Sequence, residues 1–242
     1  RRVLFRSSKQ TRPKKGTEMA KDGKLQVLLW SELTEPKDIY PNGITGVIAD
    51  HLNQYDHIEA TNATLTDPEQ GVSEEALEQA DVLFWFGHVK HGEVTDESVA
   101  RIKRHVEERG MGFVSLHSSH YAKPYKALMG TECSWRAYVA DGKPARILVA
   151  DPTHPIARNV EPFNIAREEW YGEPYAVPTP DDIVFIGVYA DNDEIARDGI
   201  TWTCGNGRVF YWRAGHETYP IYHMPQVLQI MENAALWCAN WA

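Results

Sequence analysis

The apolar positions of this chain fall into short unbroken runs separated by stretches with helical spacing. Residues 25–30 read as a buried strand. After the turn at Pro41-Asn42-Gly43, Ile44, Val47, Ile48, His51 and Leu52 recur at the spacing of one helix face. Residues 57–63 read as a second strand, and Asp67-Pro68 opens a loop. Ser73, followed by Glu74 and Glu75, starts a short helix ending near Ala80, because a serine hydroxyl caps free helix amides. Residues 81–86 form the third strand. Thr95 then caps a helix running to Glu108, with Val99, Ile102 and Val106 facing inward. Gly110 stops it, as a glycine free to turn left-handed does, and residues 112–116 form the fourth strand. Strands alternating with helices imply parallel pairing through right-handed crossovers, hence a doubly wound α/β sheet.

The second half breaks this rhythm. Residues 146–150, 183–189, 200–204 and 208–212 read as extra strands joined by turns and Pro-rich loops. Gly205-Asn206-Gly207 between the last two signals a hairpin. A closing helix over 224–241 buries Val227, Ile230, Met231, Ala234 and Trp237. No internal repeat, low-complexity tract or linker divides the chain, and 242 residues suit one domain with a sizeable core.

Charge changes the picture at one end. The net charge is −9, but residues 1–18 carry seven Lys/Arg and one Glu, so the remainder stands at −15. An acidic body argues against nucleic acid and anionic membranes as partners. The first 18 residues lack periodicity and a signal-peptide core, and residues 2–7 resemble translated adapter DNA. They are expected to be a disordered or artefactual extension, with the domain spanning 19–242 from a start at Met19. Cys133, Cys204 and Cys238 show no metal-finger spacing and point to reduced thiols in a cytoplasmic setting. No apolar run approaches the roughly 20 residues that span a bilayer.

Three strand-like runs each deliver a histidine just past their end: His88, His117 and His216. Ligands bind beyond the carboxyl ends of parallel strands, where loops diverge, so these imidazoles are expected to share one site. His117 and His120 stand three apart, which on a helical turn puts both rings on one side. Such a pair suits a transition metal or acid–base work, while the bland alternative is one ring bonded to backbone and the other exposed. His91 repeats the spacing from His88 and reads as peripheral. Arg167-Glu168-Glu169-Trp170-Tyr171-Gly172-Glu173 reads as a loop with carboxylates among aromatics, a mixture that suits sugars or merely an acidic surface. Glu217 beside His216 can orient the ring, and Tyr222 with His223 extends that wall. Gly-rich phosphate loops and a GxSxG elbow are absent, so no nucleotide cofactor is expected.

The stretches Phe86-Gly87-His88, Leu116-His117-Ser118-Ser119-His120-Tyr121-Ala122-Lys123, Leu128-Met129-Gly130-Thr131, Asp151-Pro152-Thr153-His154-Pro155-Ile156, Glu168-Glu169-Trp170-Tyr171-Gly172-Glu173-Pro174 and Gly215-His216-Glu217-Thr218-Tyr219-Pro220 together resemble the ThuA-like, or trehalose utilization protein A, family. That resemblance implies a flavodoxin-like, class I glutamine amidotransferase-like fold. It also implies a role in catabolism of trehalose or related disaccharides, through 3-keto intermediates made by a partner oxidoreductase. Amidotransferases of this fold carry a cysteine after a central strand. His117 and Ser118 stand there instead, so glutamine hydrolysis is not expected.

The leading expectation is therefore a cytoplasmic enzyme isomerising or cleaving a ketosugar. Its catalytic residues would be His117, His120, Glu169 and His216. Its substrate contacts would be His88, Tyr121, Trp170, Tyr171, Glu173, Glu217 and Tyr222. A divalent metal, zinc by ligand type, would sit on His117, His216 and Glu169. The rivals are a non-catalytic carbohydrate-binding or regulatory protein, and a hydrolase using Ser118 with His216. Self-association is left open.

Overall fold

The computed structural model describes residues 23–189 and 194–241; the basic stretch 1–18 and the start at Met19 lie outside the described residues. Strands β1 (Leu25–Ser31), β2 (Ile58–Thr64), β3 (Val82–Phe86), β4 (Gly112–Leu116) and β9 (Gly207–Trp212) pair in parallel in the order β2-β1-β3-β4-β9. Helices α1 (Gly43–Leu52) and α5 (Pro225–Cys238) cover one face; α2 (Glu74–Gln79), α3 (Asp96–Arg104) and α4 (Lys123–Met129) cover the other. Successive strand side chains point to opposite faces. Thus Val27, Leu29, Phe84 and Val114 pack with Ile48 and Ile230, whereas Leu28, Trp30, Trp85 and Phe113 pack with Leu77 and Ile102. Burial on both faces explains why these strands read as continuous apolar runs.

The helix signals are visible as capping geometry. Ser73 Oγ accepts the Ala76 amide at 3.1 Å, and Thr95 Oγ1 accepts that of Ser98 at 3.2 Å. Regular α3 stops at Arg104 and passes through a widened π turn over His105–Arg109 before Gly110 at φ +88°. The sequence expected an uninterrupted helix to Glu108.

From β9 the sheet continues antiparallel through β8 (Glu194–Cys204), β7 (Asp182–Tyr189), β5 (Trp135–Val149) and β6 (Phe163–Tyr175), nine strands in all among the described residues. Gly205-Asn206 makes the β8–β9 hairpin, with Cys204 opposite Gly207. Two expectations are corrected here. The carboxylate-rich segment read as a loop is the second half of β6, and the strand expected over 146–150 begins at Trp135. Charged residues disguise both: Glu168 and Glu173 reach partners in neighbouring strands and loops, and β5 breaks register with β6 between Val139 and Ala145.

The chain leaves β1 for β2 on one side and reaches β3 on the other, which opens a crevice beyond the carboxyl ends of these strands. Among the described residues, no helix is long and apolar enough to cross a membrane.

Candidate functional site

Where β4 ends, His117 adopts a left-handed backbone at φ +47°. For a residue with a side chain this costs about 1–3 kcal/mol and persists only where its surroundings impose it. Here β9 imposes it. The Tyr211 hydroxyl donates to the His117 carbonyl at 3.0 Å, and His117 Nδ1 lies 2.7 Å from the Arg213 carbonyl. A carbonyl only accepts, so Nδ1 carries hydrogen and Nε2 faces the site. Nε2 stands 3.1 Å from Glu169 Oε2 and 3.1 Å from the Tyr171 hydroxyl, and the ring stacks on Tyr171 at 4.9 Å.

Glu169 comes from β6 and is fixed through its backbone. Its carbonyl accepts Arg213 Nη1 at 2.8 Å, and the same fully buried guanidinium bonds both oxygens of Asp198 in β8, at 2.5 and 2.7 Å. Such a fork holds planar geometry that a lysine could not. The neighbouring Glu168 carboxylate accepts the amides of Glu169 (2.8 Å), Gly215 (3.1 Å) and His216 (3.4 Å). It ties β6 to the exit of β9, and burial pushes its pKa up. His216 is thereby brought to 3.8 Å, Nε2 to Glu169 Oε2, with ring centroids 5.7 Å from His117.

Charge follows geometry. Burial works against protonated His117, but the adjoining Glu169 carboxylate outweighs it and raises the pKa above 6.5. Burial alone would lift Glu169; the His117 hydrogen bond and charge instead pull it down to about 2. Burial, then the His117 charge, lowers the pKa of His216. Glu169 thus favours a proton on His117, while burial disfavours one on His216.

His88 completes the group from the β3 exit. Its loop is pinned by Glu32, whose Oε2 accepts the Val89 and Lys90 amides, each at 2.9 Å. Glu217 Oε1 lies 3.6 Å from His88 Nδ1 and 3.6 Å from His216 Nδ1. The structure thus brings together His88, His117, Glu169, Tyr171, His216 and Glu217. Tyr121 stands at the rim, 38% exposed, next to Tyr138 at 40%.

Other expected members are engaged by the protein itself, although the His120 ring lies 5.3 Å from that of Tyr171. His120 is buried with Nδ1 2.7 Å from the Cys133 carbonyl, and burial lowers its pKa to about 3, so it does not exchange protons near neutrality. Trp170 packs against Arg136 and Tyr189. Glu173 is spent on Arg197, at 2.8 and 2.9 Å. Tyr222 is buried beneath Gly215, whose added Cβ would lie 2.5 Å from its ring. The Ser118 hydroxyl donates to the Gly87 carbonyl at 2.9 Å, which is no nucleophile–base pair with His216. Sequence reasoning missed Arg213, Asp198 and Tyr138, and it marked the segment of Glu168 without giving that residue a role. Only Arg213 left a signal, a charge directly after the apolar run 209–212.

Two imidazoles and a carboxylate are zinc donors by type, but their placement here does not make a three-ligand site. His216 Nδ1 accepts the Thr218 amide at 3.2 Å, and an amide nitrogen only donates. The neutral ring therefore carries its hydrogen on Nε2, the nitrogen that faces Glu169 and would have to bind metal. Nor do His117, Glu169 and His216 form a group with all ligand atoms within 4.8 Å of one another. Among the described residues that criterion is met by Glu74, Glu78 and His105, where Glu74 already pairs with Arg104 at 2.5 Å. The three residues expected to hold zinc do not fit a three-ligand site, and no chemistry is routed through one.

The chain belongs to the ThuA family, described as trehalose utilisation, whose profile matches residues 26–238. A ThuA-like protein from Bacteroides uniformis superposes with a TM-score of 0.61 at 15% identity, covering 94% of this chain and 95% of that one. A cytoplasmic protein from Salmonella typhimurium gives a TM-score of 0.61 at 14% identity over 88% of this chain and 99% of that one. A protein described as one of the GMP synthase subunits, from Thermoplasma acidophilum, gives a TM-score of 0.53 at 8% identity over 90% of this chain and 96% of that one. Together they bear out the amidotransferase-like α/β fold. None of the curated proteins matches this chain.

Proposed function

We propose that this protein catalyses proton transfer on a sugar carrying a carbonyl group, isomerising it or eliminating a glycosidic oxygen. The observation that carries the reading is fully buried His117, held left-handed at the end of a central parallel strand, with its Nε2 3.1 Å from the half-buried Glu169 carboxylate. Membership of a trehalose utilisation family supports a sugar as the substrate. The tyrosine faces of Tyr171, Tyr138 and Tyr121 suit sugar CH surfaces, and the carboxylates suit hydroxyls.

In the free protein His117 suppresses the basicity of Glu169. A carbonyl oxygen entering between them takes the Nε2 hydrogen bond, and Glu169, partly buried, regains basicity because burial disfavours its charged form. Glu169 then removes the proton from the carbon beside the carbonyl while His117 gives its proton to the oxygen, leaving an enediol. Return of a proton to the neighbouring carbon isomerises the sugar. In cleavage the glycosidic oxygen leaves with the proton held by Glu169, while the enediol hydroxyl returns its proton to His117 and becomes the carbonyl again. Arg213, Asp198 and Glu168 position this pair without touching substrate. The ketosugar itself comes from an oxidoreductase, the reaction class that turns a sugar hydroxyl into a carbonyl.

The test is proton NMR of 3-ketotrehalose and related ketoglycosides in D2O. Glu169→Gln and His117→Asn should each slow conversion by about 10²–10⁴-fold, the usual contribution of a positioned acid or base. Full-rate conversion by Glu169→Gln, or calorimetric binding of these sugars without any conversion by the wild type, would overturn the reading, the latter in favour of a binding protein.

A further inference from the structure

The site residues alternate in chemistry along a line. From inside outward they run His117 Nε2, 3.1 Å to Glu169 Oε2, 3.8 Å to His216 Nε2; then His216 Nδ1, 3.6 Å to Glu217 Oε1, 3.6 Å to His88 Nδ1. The inner end is fully buried and the outer end, His88, has a side chain 33% exposed. Glu217 is buried, and its Oε2 has no hydrogen-bond partner in the protein. Resting on the proton-transfer reading above, we propose that His88, Glu217 and His216 form a proton relay connecting Glu169 and His117 to solvent.

An imidazole carries a proton by taking one on one nitrogen and releasing another from the second. His216 is the one ring in the line with a carboxylate at each nitrogen. Its resting tautomer sets the direction: Nδ1, toward Glu217, holds the lone pair, and Nε2, toward Glu169, holds the hydrogen. Glu169 first passes the substrate's proton to His117, which has just spent its own on the carbonyl oxygen. A proton received at Nδ1 from protonated Glu217 then displaces the Nε2 hydrogen onto Glu169 for delivery to the neighbouring carbon. The proton shed by the hydroxyl that becomes the new carbonyl is the one left to travel out. The ring then stands in the opposite tautomer, ready to accept at Nε2 and release at Nδ1, so the next proton travels outward to Glu217 and His88. The 3.6–3.8 Å steps are too long for hydrogen bonds and too short to admit a water. Small side-chain rotations must close them in turn. The Thr218 hydroxyl, 2.8 Å from His216 Nδ1, is the local competitor that holds the resting state.

The relay predicts where the hydrogen removed from substrate ends up. With 3-ketotrehalose in D2O, the wild type should place solvent deuterium in the product. His88→Ala and Glu217→Gln should instead return the substrate's own hydrogen, cutting deuterium incorporation at least threefold, and turnover should become dependent on buffer concentration. Free imidazole should restore incorporation in His88→Ala, because the deleted ring lay at the surface; a merely structural role for His88 would not respond. Unchanged incorporation in both variants, with Glu169→Gln still inactive, overturns the relay and leaves the acid–base reading standing. Activity in Glu169→Gln overturns that reading instead. Should Glu217→Gln fail to fold, the imidazole response of His88→Ala decides the question alone.

Discussion

The parallel and antiparallel halves of the sheet contribute to the site in different ways. The parallel strands β3, β4 and β9 deliver His88, His117 and His216 from the turns just past their ends, where backbone can take unusual conformations. The antiparallel strands β6 and β8 deliver Glu169, Tyr171 and Asp198 from within strands, where register alone aims each side chain. The β5–β6 pairing shifts register between Val139 and Ala145, opposite Glu168 and Trp170. Such irregularities bend a strand and re-aim its side chains. One half thus places chemistry by turns, and the other by bulges and buried charge.

The sharpest way to break this comparison is to unsettle the antiparallel half. Asp198→Ala leaves the buried Arg213 guanidinium without its counter-ion and should cost about 3–5 kcal/mol, measured by urea unfolding. If the loss is under about 1 kcal/mol, β8 does not anchor Glu169 as described. Next in size, Glu168→Leu leaves three amides without their acceptor, of which those of Gly215 and His216 belong to the β9 exit. It should cost about 1–3 kcal/mol and slow turnover. A variant that loses stability but keeps the wild-type rate would show that the β6–β9 tie does not set His216.

Acid separates histidine environments. His120 and His91, lowered by burial to about 3 and about 4, stay neutral in the fold, and His216 is lowered as well. Unfolded, all regain the ordinary value near 6.5 and bind protons first. Stability should therefore fall as pH drops from about 6.5 toward those lowered values. His117 runs the other way: its raised pKa contributes stability that is complete below 6.5 and lost as pH rises through the folded value. Denaturant midpoints between pH 4 and 9 check both arms; in His120→Phe the acid slope should flatten. The smallest effect belongs to Trp170→Phe. Since Trp170 packs on Arg136 and Tyr189, sugar binding by calorimetry should be unchanged, whereas Tyr138→Ala should weaken it several-fold.

The same division explains what could be read in the sequence. Strands β1, β3, β4 and β9 carry continuous apolar runs that mark them as strands, and the histidines past the ends of β3, β4 and β9 stand out against those runs. Glu169 was visible as a carboxylate among aromatics, but its strand was hidden by Arg167, Glu168 and Glu173. Glu168 is met by backbone amides, Glu173 by Arg197 and Arg167 by the Tyr219 ring, a compensation no local pattern reveals. Asp198 in β8 and Arg213 just past the end of β9 lie fifteen residues apart and declare themselves only once paired. The spacing of His120 from His117 shows that the two lie near one another, but not that His120 is buried with Nδ1 on the Cys133 carbonyl, because that partner comes from thirteen residues away.

The left-handed backbone of His117 sets two selective pressures against each other. Only glycine takes that conformation freely, so His117→Gly should melt higher than His117→Ala, reversing the usual order in which alanine is the more stable. An evolving population under pressure for robustness alone would drift to glycine at this position and lose the imidazole. If the proton-transfer reading holds, the histidine trades durability for turnover at this position, and His117→Gly should gain stability over His117→Ala while both lose conversion of the ketosugar.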